Sequence, residues 1–117
     1  QAYYAGLIEK KKNNILHFPC VDKDFQTNYH AFFVIFPSEL HADGVRQHLV
    51  SHGVQAYIGY VPLHSSQVGI RMGYSPESLP RTEILAKQIL RLPFHNNMSE
   101  ADANYVTVLI NEYFDDQ

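Results

Sequence analysis

The chain is 117 residues long, with 45% hydrophobic and 18% charged residues and a formal net charge of −3, the composition of one ordinary globular domain with one core. Basic residues are scattered apart from Lys10-Lys11-Lys12, which leaves no electrostatic footprint for nucleic acid. Cys20 is the single cysteine, so an intrachain disulfide is excluded; together with the lack of a signal-peptide pattern or an apolar run of ~18 residues, this places the expected protein in the cytoplasm.

The first segment, about residues 2–13, predicts a helix in which Tyr4, Leu7 and Ile8 form the apolar stripe. Lysines at its end suit the helix dipole, and Asn13-Asn14 suits a left-handed cap. An opening without Met directly on this pattern reads as a piece of a longer protein. Ile15-Leu16-His17-Phe18 is short and extended, Pro19 ends it, and residues 22–27 are polar loop. From Tyr29 to Phe36 the chain is almost continuously apolar and rich in aromatics, predicting a strand covered on both faces and stopped by Pro37.

Asp43 is expected to precede a helix of about ten residues with Val45 and Leu49 inside, closed by Gly53 in a left-handed cap. Val54 to Ile58 reads as a second strand. It runs into Gly59-Tyr60-Val61-Pro62-Leu63-His64 and then a turn-rich stretch of about sixteen residues without apolar period. Surface loops of that length usually carry function or are disordered. Pro80 then opens a helix whose expected inner face is Ile84, Leu85 and Ile89. Leu90-Arg91-Leu92 is a short strand stopped by Pro93. Ser99-Glu100-Ala101-Asp102 reads as a capping box with Asp in place of Glu, ahead of a stripe of Val106, Leu109, Ile110 and Tyr113. This order implies an α+β fold, a small and mainly antiparallel sheet with helices packed on one face.

Several side chains are candidates for chemistry. His64, after a proline-stiffened turn, is placed to aim an imidazole at a sugar hydroxyl or phosphate oxygen, or to shuttle a proton. Tyr60 either stacks on a ring and donates its hydroxyl or packs half-buried. Asn28 and His30 flank a strand start, where they serve as turn cap and hydrogen-bonded core histidine or as part of a site wall. Arg71 meets a phosphate or is an exposed loop arginine, the more ordinary case. Arg91 binds a carboxylate or pairs with Glu83 or Glu112. His48 and His52 stand at i, i+4 with His41 nearby, but no H-E-x-x-H pattern and no third ligand at fixed spacing accompany them, so no metal site is expected.

Together, Thr27-Asn28-Tyr29-His30, His52-Gly53-Val54, Tyr60-Val61-Pro62-Leu63-His64, Leu90-Arg91-Leu92-Pro93-Phe94 and Met98-Ser99-Glu100 resemble the C-terminal small domain of the DegT/DnrJ/EryC1/StrS sugar aminotransferases over residues 1–117. The Tyr-x-Pro-Leu-His form is most similar to members that aminate a dTDP-4-keto-6-deoxyhexose. The resemblance implies the small domain of the aspartate aminotransferase fold and a homodimer with pyridoxal 5'-phosphate on a lysine of an absent large domain. It further implies L-glutamate as amino donor, a keto-sugar nucleotide as acceptor and a role in surface polysaccharide or lipopolysaccharide synthesis. Asn28, His30, Tyr60 and His64 would then face the sugar substrate, with no catalytic, cofactor-binding or metal-binding residue on this chain. Lys10, Lys11, Lys12, Lys23 and Lys87 have polar surroundings unsuited to a lowered amine pKa, so the chain alone is expected to be inactive. Gly59 stands where many relatives carry histidine. The rival readings are a self-standing ligand-binding or regulatory α+β module and a structural or dimerisation domain.

Overall fold

The computed structural model describes residues 1–13, 15–19, 24, 28 and 30–115, without the side chains of Lys11 and Lys12. Cys20, Lys23, Thr27, Tyr29 and most of the 22–27 loop lie outside the described residues. Helix α1 (Ala2–Lys12) is followed by strand β1 (Phe32–Ile35), helix α2 (Glu39–Ser51), strand β2 (Tyr57–Ile58), helix α3 (Gln67–Arg71), helix α4 (Pro80–Gln88), strand β3 (Ile89–Leu92) and helix α5 (Glu100–Asp115). Single 3-10 turns at Leu63–Ser65 and Pro76–Ser78 flank α3.

The three strands form one antiparallel sheet in the order β1-β3-β2. Phe32 pairs with Leu92 and Val34 with Leu90, and these four side chains are buried on the inner face. The alternation of a strand sends Phe33 and Arg91, also register partners, to the other face. His17 adds an isolated bridge to Ile35, as the extended reading of residues 15–18 requires. Within the predicted strand, Phe32–Ile35 are the residues paired with β3, which is itself four residues long.

The core lies between the inner sheet face and α1, α2 and α5. Leu7, Leu16, Val34, Phe36, Val45, Leu49, Leu90 and Ile110 are fully enclosed. Truncating a side chain so placed, as in Leu90→Ala, costs roughly 2–5 kcal/mol. Tyr3 stacks on Phe32 with ring centroids 4.8 Å apart, and Tyr4 and Phe18 meet the same ring edge-on or tilted. This aromatic cluster shifts the expected stripe of α1: Tyr3 and Leu7 are inside, Tyr4 is half-buried and Ile8 faces outward.

Helix α5 behaves as its pattern predicts. The Ser99 N–H donates to Asp102 Oδ2 at 2.8 Å while the Asp102 N–H donates to Ser99 Oγ at 3.1 Å, and Val106, Leu109 and Ile110 are buried. Helix α2 starts earlier than its apolar residues indicate. Ser38 caps it, its hydroxyl accepting from the His41 N–H at 3.3 Å. Asp43 lies inside the helix, bound to Arg46 and Gln47, which hold its carboxyl below the usual range. The helix ends as expected at His52, with Gly53 at φ 78°. Helix α4 corrects a second expectation: Ile84 and Leu85 are exposed, and α4 buries no residue within the chain.

Candidate functional site

The predicted loop after β2 is built from short helical pieces. The Gly59 N–H donates to Ile89 O at 3.1 Å, keeping the chain beside β3 for one more residue. Tyr60 then projects outward, 79% exposed. Arg91, from the outer face of β3, donates to the Tyr60 hydroxyl at 2.9 Å and sets its guanidinium 5.1 Å from the ring centroid. Such a contact orients both groups. It also corrects the expected pairing of Arg91 with Glu83 or Glu112, since the guanidinium meets a phenol instead.

Pro62, at φ −57° and ψ 138°, turns the chain into the 3-10 turn, where Leu63 is 86% exposed and His64 is buried. Ser66 locks the next step. Its hydroxyl donates to Leu63 O at 2.7 Å and accepts from the Gly69 N–H at 3.1 Å, capping α3. Gly69 packs directly on the backbone of Leu63 and His64, where a Cβ would overlap the Leu63 carbonyl. A stretch without apolar period is thus ordered by caps and close backbone contact.

The imidazole of His64 does not point to open solvent, as the proline step led us to expect. Its side chain is 8% exposed, and Nε2 lies 3.0 Å from Glu83 Oε1 on α4. Both atoms are buried, and the pair lacks the alignment of a hydrogen bond. From Gly59 to Ile89, His64 and Gly69 are the only buried residues. Val61, Leu63, Val68, Ile70, Met72, Tyr74, Leu79, Ile84 and Leu85 are all exposed, a continuous stretch of sequence presenting apolar side chains outward.

Asn28 and His30 are exposed, and the His30 N–H donates to Asn28 Oδ1 at 3.2 Å, the turn expected of an asparagine before a strand. They line a cavity of about 530 Å³ with Phe94, His95 and Asn96. Sequence reasoning passed over His95 and Asn96. Their signal was a polar run directly after a strand stopped by proline, where loops carry binding groups. The structure therefore joins Asn28 and His30 with His95, and Tyr60 with Arg91. Among the described residues no hydrogen bond or ring contact links the two groups.

The remaining candidates have other surroundings. The rings of His48 and His52 are 4.5 Å apart, and His52 Nδ1 lies 2.8 Å from His48 O. His41 instead stacks on Phe114 beside Ser38. Among the described residues no group of three ligating side chains converges. Arg71 is exposed at the end of α3. Lys10 pairs with Asp115 and Lys87 with Glu39. Neither described lysine side chain sits in the desolvated, unpaired setting that an amine nucleophile needs. A cofactor held covalently through lysine has no fitting anchor among them. Among the described residues no helix is long and apolar enough to cross a membrane.

Comparison with known proteins gives a consistent pattern. The profile of the DegT/DnrJ/EryC1/StrS aminotransferase family matches residues 1–111. Over 114 residues the chain is 28% identical to the pleiotropic regulatory protein of Geobacillus stearothermophilus, a match spanning 97% of this chain and 30% of that protein. Its structure is similar to that of S. venezuelae DesV in complex with a ketimine intermediate, with a TM-score of 0.78 and 26% identity over 95% of this chain and 29% of DesV. The fold is also that of part of Spr1654 from Streptococcus pneumoniae in its PLP-form, at a TM-score of 0.83 and 15% identity over 98% of this chain and 29% of Spr1654. The chain thus spans less than a third of the length of these relatives.

Proposed function

The chain belongs to the DegT/DnrJ/EryC1/StrS aminotransferase family, whose full-length enzymes use pyridoxal 5'-phosphate, and from that premise we propose that it is the C-terminal small domain of a sugar aminotransferase. In this reading the complete enzyme moves an amino group from L-glutamate to a keto-sugar nucleotide of the dTDP-4-keto-6-deoxyhexose type. It does so as a cytoplasmic homodimer, in the synthesis of a surface polysaccharide or lipopolysaccharide. The cofactor supplies the electron sink for the transfer. Its lysine anchor belongs to the large domain, and this chain alone is inactive.

One observation carries the reading: the long excursion between β2 and β3 keeps its apolar side chains outward and only His64 and Gly69 inside. Exposed apolar stretches of this kind mark surfaces covered by other protein or ligand, and a domain closing over a cofactor pocket needs such a surface. Tyr60 offers a ring and a hydroxyl from that surface, and His64 follows four residues later in the same turn-rich stretch. Asn28 and His30 offer a carboxamide and an imidazole beside Phe94, groups suited to sugar hydroxyls.

The test is an assay of the full-length protein with L-glutamate and dTDP-4-keto-6-deoxyhexoses. Glutamate-dependent amination is expected, with no turnover by the 117-residue chain. A full-length protein that holds the cofactor yet aminates no keto-sugar nucleotide overturns the assignment.

A further inference from the structure

Buried polar atoms in folded proteins are almost always partnered. Two of the exceptions here, His64 Nε2 and Glu83 Oε1, face each other at 3.0 Å. They join two elements that otherwise share little. His64 is the single buried side chain between Gly59 and Ile89, since Gly69 has none. Apolar burial within the chain therefore does not fix this excursion. Ser66 and Gly69 organise it internally, and the His64–Glu83 contact ties it to α4.

The contact has a lever attached. Leu63, the outward neighbour of His64 in the 3-10 turn, and Tyr60, joined to that turn through the restricted Pro62 step, both face solvent. The Tyr60 ring is held from the other side by Arg91. We propose that Glu83 is a positioning residue: by holding the buried imidazole of His64 it fixes the Tyr60–Leu63 edge against α4, so that His64 acts on the substrate through that edge. This rests on the reading that the edge faces the sugar nucleotide.

The experiment uses the full-length enzyme with Glu83→Ala and Glu83→Gln. Two readouts are taken, amide hydrogen exchange along α3 and the KM for the keto-sugar nucleotide. Glu83→Ala is expected to speed exchange at Ile70 and Met72 about tenfold and to raise that KM about tenfold, the scale of one lost buried polar contact. Exchange in β1, cofactor absorbance and the KM for L-glutamate stay at wild-type values. Glu83→Gln, which keeps a side-chain oxygen within reach of Nε2, restores most of both. Unchanged exchange in Glu83→Ala overturns the pin itself. Faster exchange with an unchanged sugar KM overturns the positioning role and leaves a purely structural contact. If the wild-type enzyme aminates no keto-sugar nucleotide, the functional reading fails, while exchange still decides whether the pin exists. Should Glu83→Ala fail to fold, His64→Asn is read by the same two measurements.

Discussion

The phenol of Tyr3 donates a 2.6 Å hydrogen bond to the backbone carbonyl of Pro93, fastening the first turn of α1 to the exit of the central strand. Desolvation by burial, with a smaller contribution from Asp102, raises the Tyr3 pKa well above the ordinary value of 10.0. A group whose pKa is raised on folding contributes stability that is complete below its unfolded value and is lost as pH rises beyond it. Stability should therefore fall above pH 10, and Tyr3→Phe should flatten that alkaline limb. At neutral pH the same variant strands the Pro93 carbonyl and should cost about 1–3 kcal/mol, measured by urea denaturation. An unchanged alkaline limb removes Tyr3 from the account.

The start of α5 responds at the opposite end of the pH scale. The Ser99 hydroxyl and N–H hold the Asp102 carboxyl below its ordinary value of 3.8. A lowered pKa contributes stability that is complete above the unfolded value and is lost as pH falls through the folded one. Acid titration should show this loss below pH 3.8, and Asp102→Asn should abolish it. Ser99→Ala removes the cap itself and should cost about 1 kcal/mol at pH 7, read as a lower midpoint in denaturant.

Gly59 has room for a side chain. A Cβ there meets only Ile89 and the Ala86 carbonyl at ordinary distances, 3.6 Å and beyond, and its φ is not in the left-handed region. Gly59→Ala should therefore stabilise the fold by about 0.4–1 kcal/mol, chiefly by restricting the unfolded chain. Gly59→His should fold as well as the wild type, and the two variants are compared by thermal melts. A drop of several degrees in either would show that the backbone at this position needs glycine.

The 117-residue chain alone presents Val61, Leu63, Val68, Ile70 and Met72 to solvent. It should associate with itself in a concentration-dependent way, seen by sedimentation velocity. Leu63→Lys with Met72→Lys should return it to monomer. A wild-type chain that stays monomeric at high concentration argues that these side chains do not form an adhesive surface.

The patterns that were legible in the sequence are those satisfied inside the chain. The α5 stripe, its capping box and the Gly53 stop depend on near neighbours and on one core, and all three are present. The start of α2 was misplaced because His41, Asp43 and Gly44 carry no apolar period, although Pro37-Ser38 already marked the boundary. Helix α3 escaped because five residues are too few for a helical period to show. Ile84 and Leu85 were assigned inward because apolar residues on a helix usually are, yet here they point away from this chain's core. The partners of His64 and Arg91 were not legible at all, since Glu83 and Tyr60 reach them only through tertiary packing.

The sheet order has a consequence for how the chain comes together. The strand in the middle, β3, is the last of the three to be synthesised, and β1 and β2 each pair with it rather than with one another. A nascent chain ending before Ile89 has two edges and no centre, so its first half waits on a closure that long intervening loops make slow. Stalling translation just before residue 89 leaves both outer strands without their sheet partner, β1 keeping only its His17 bridge, and a few residues more allow the ladder to zip.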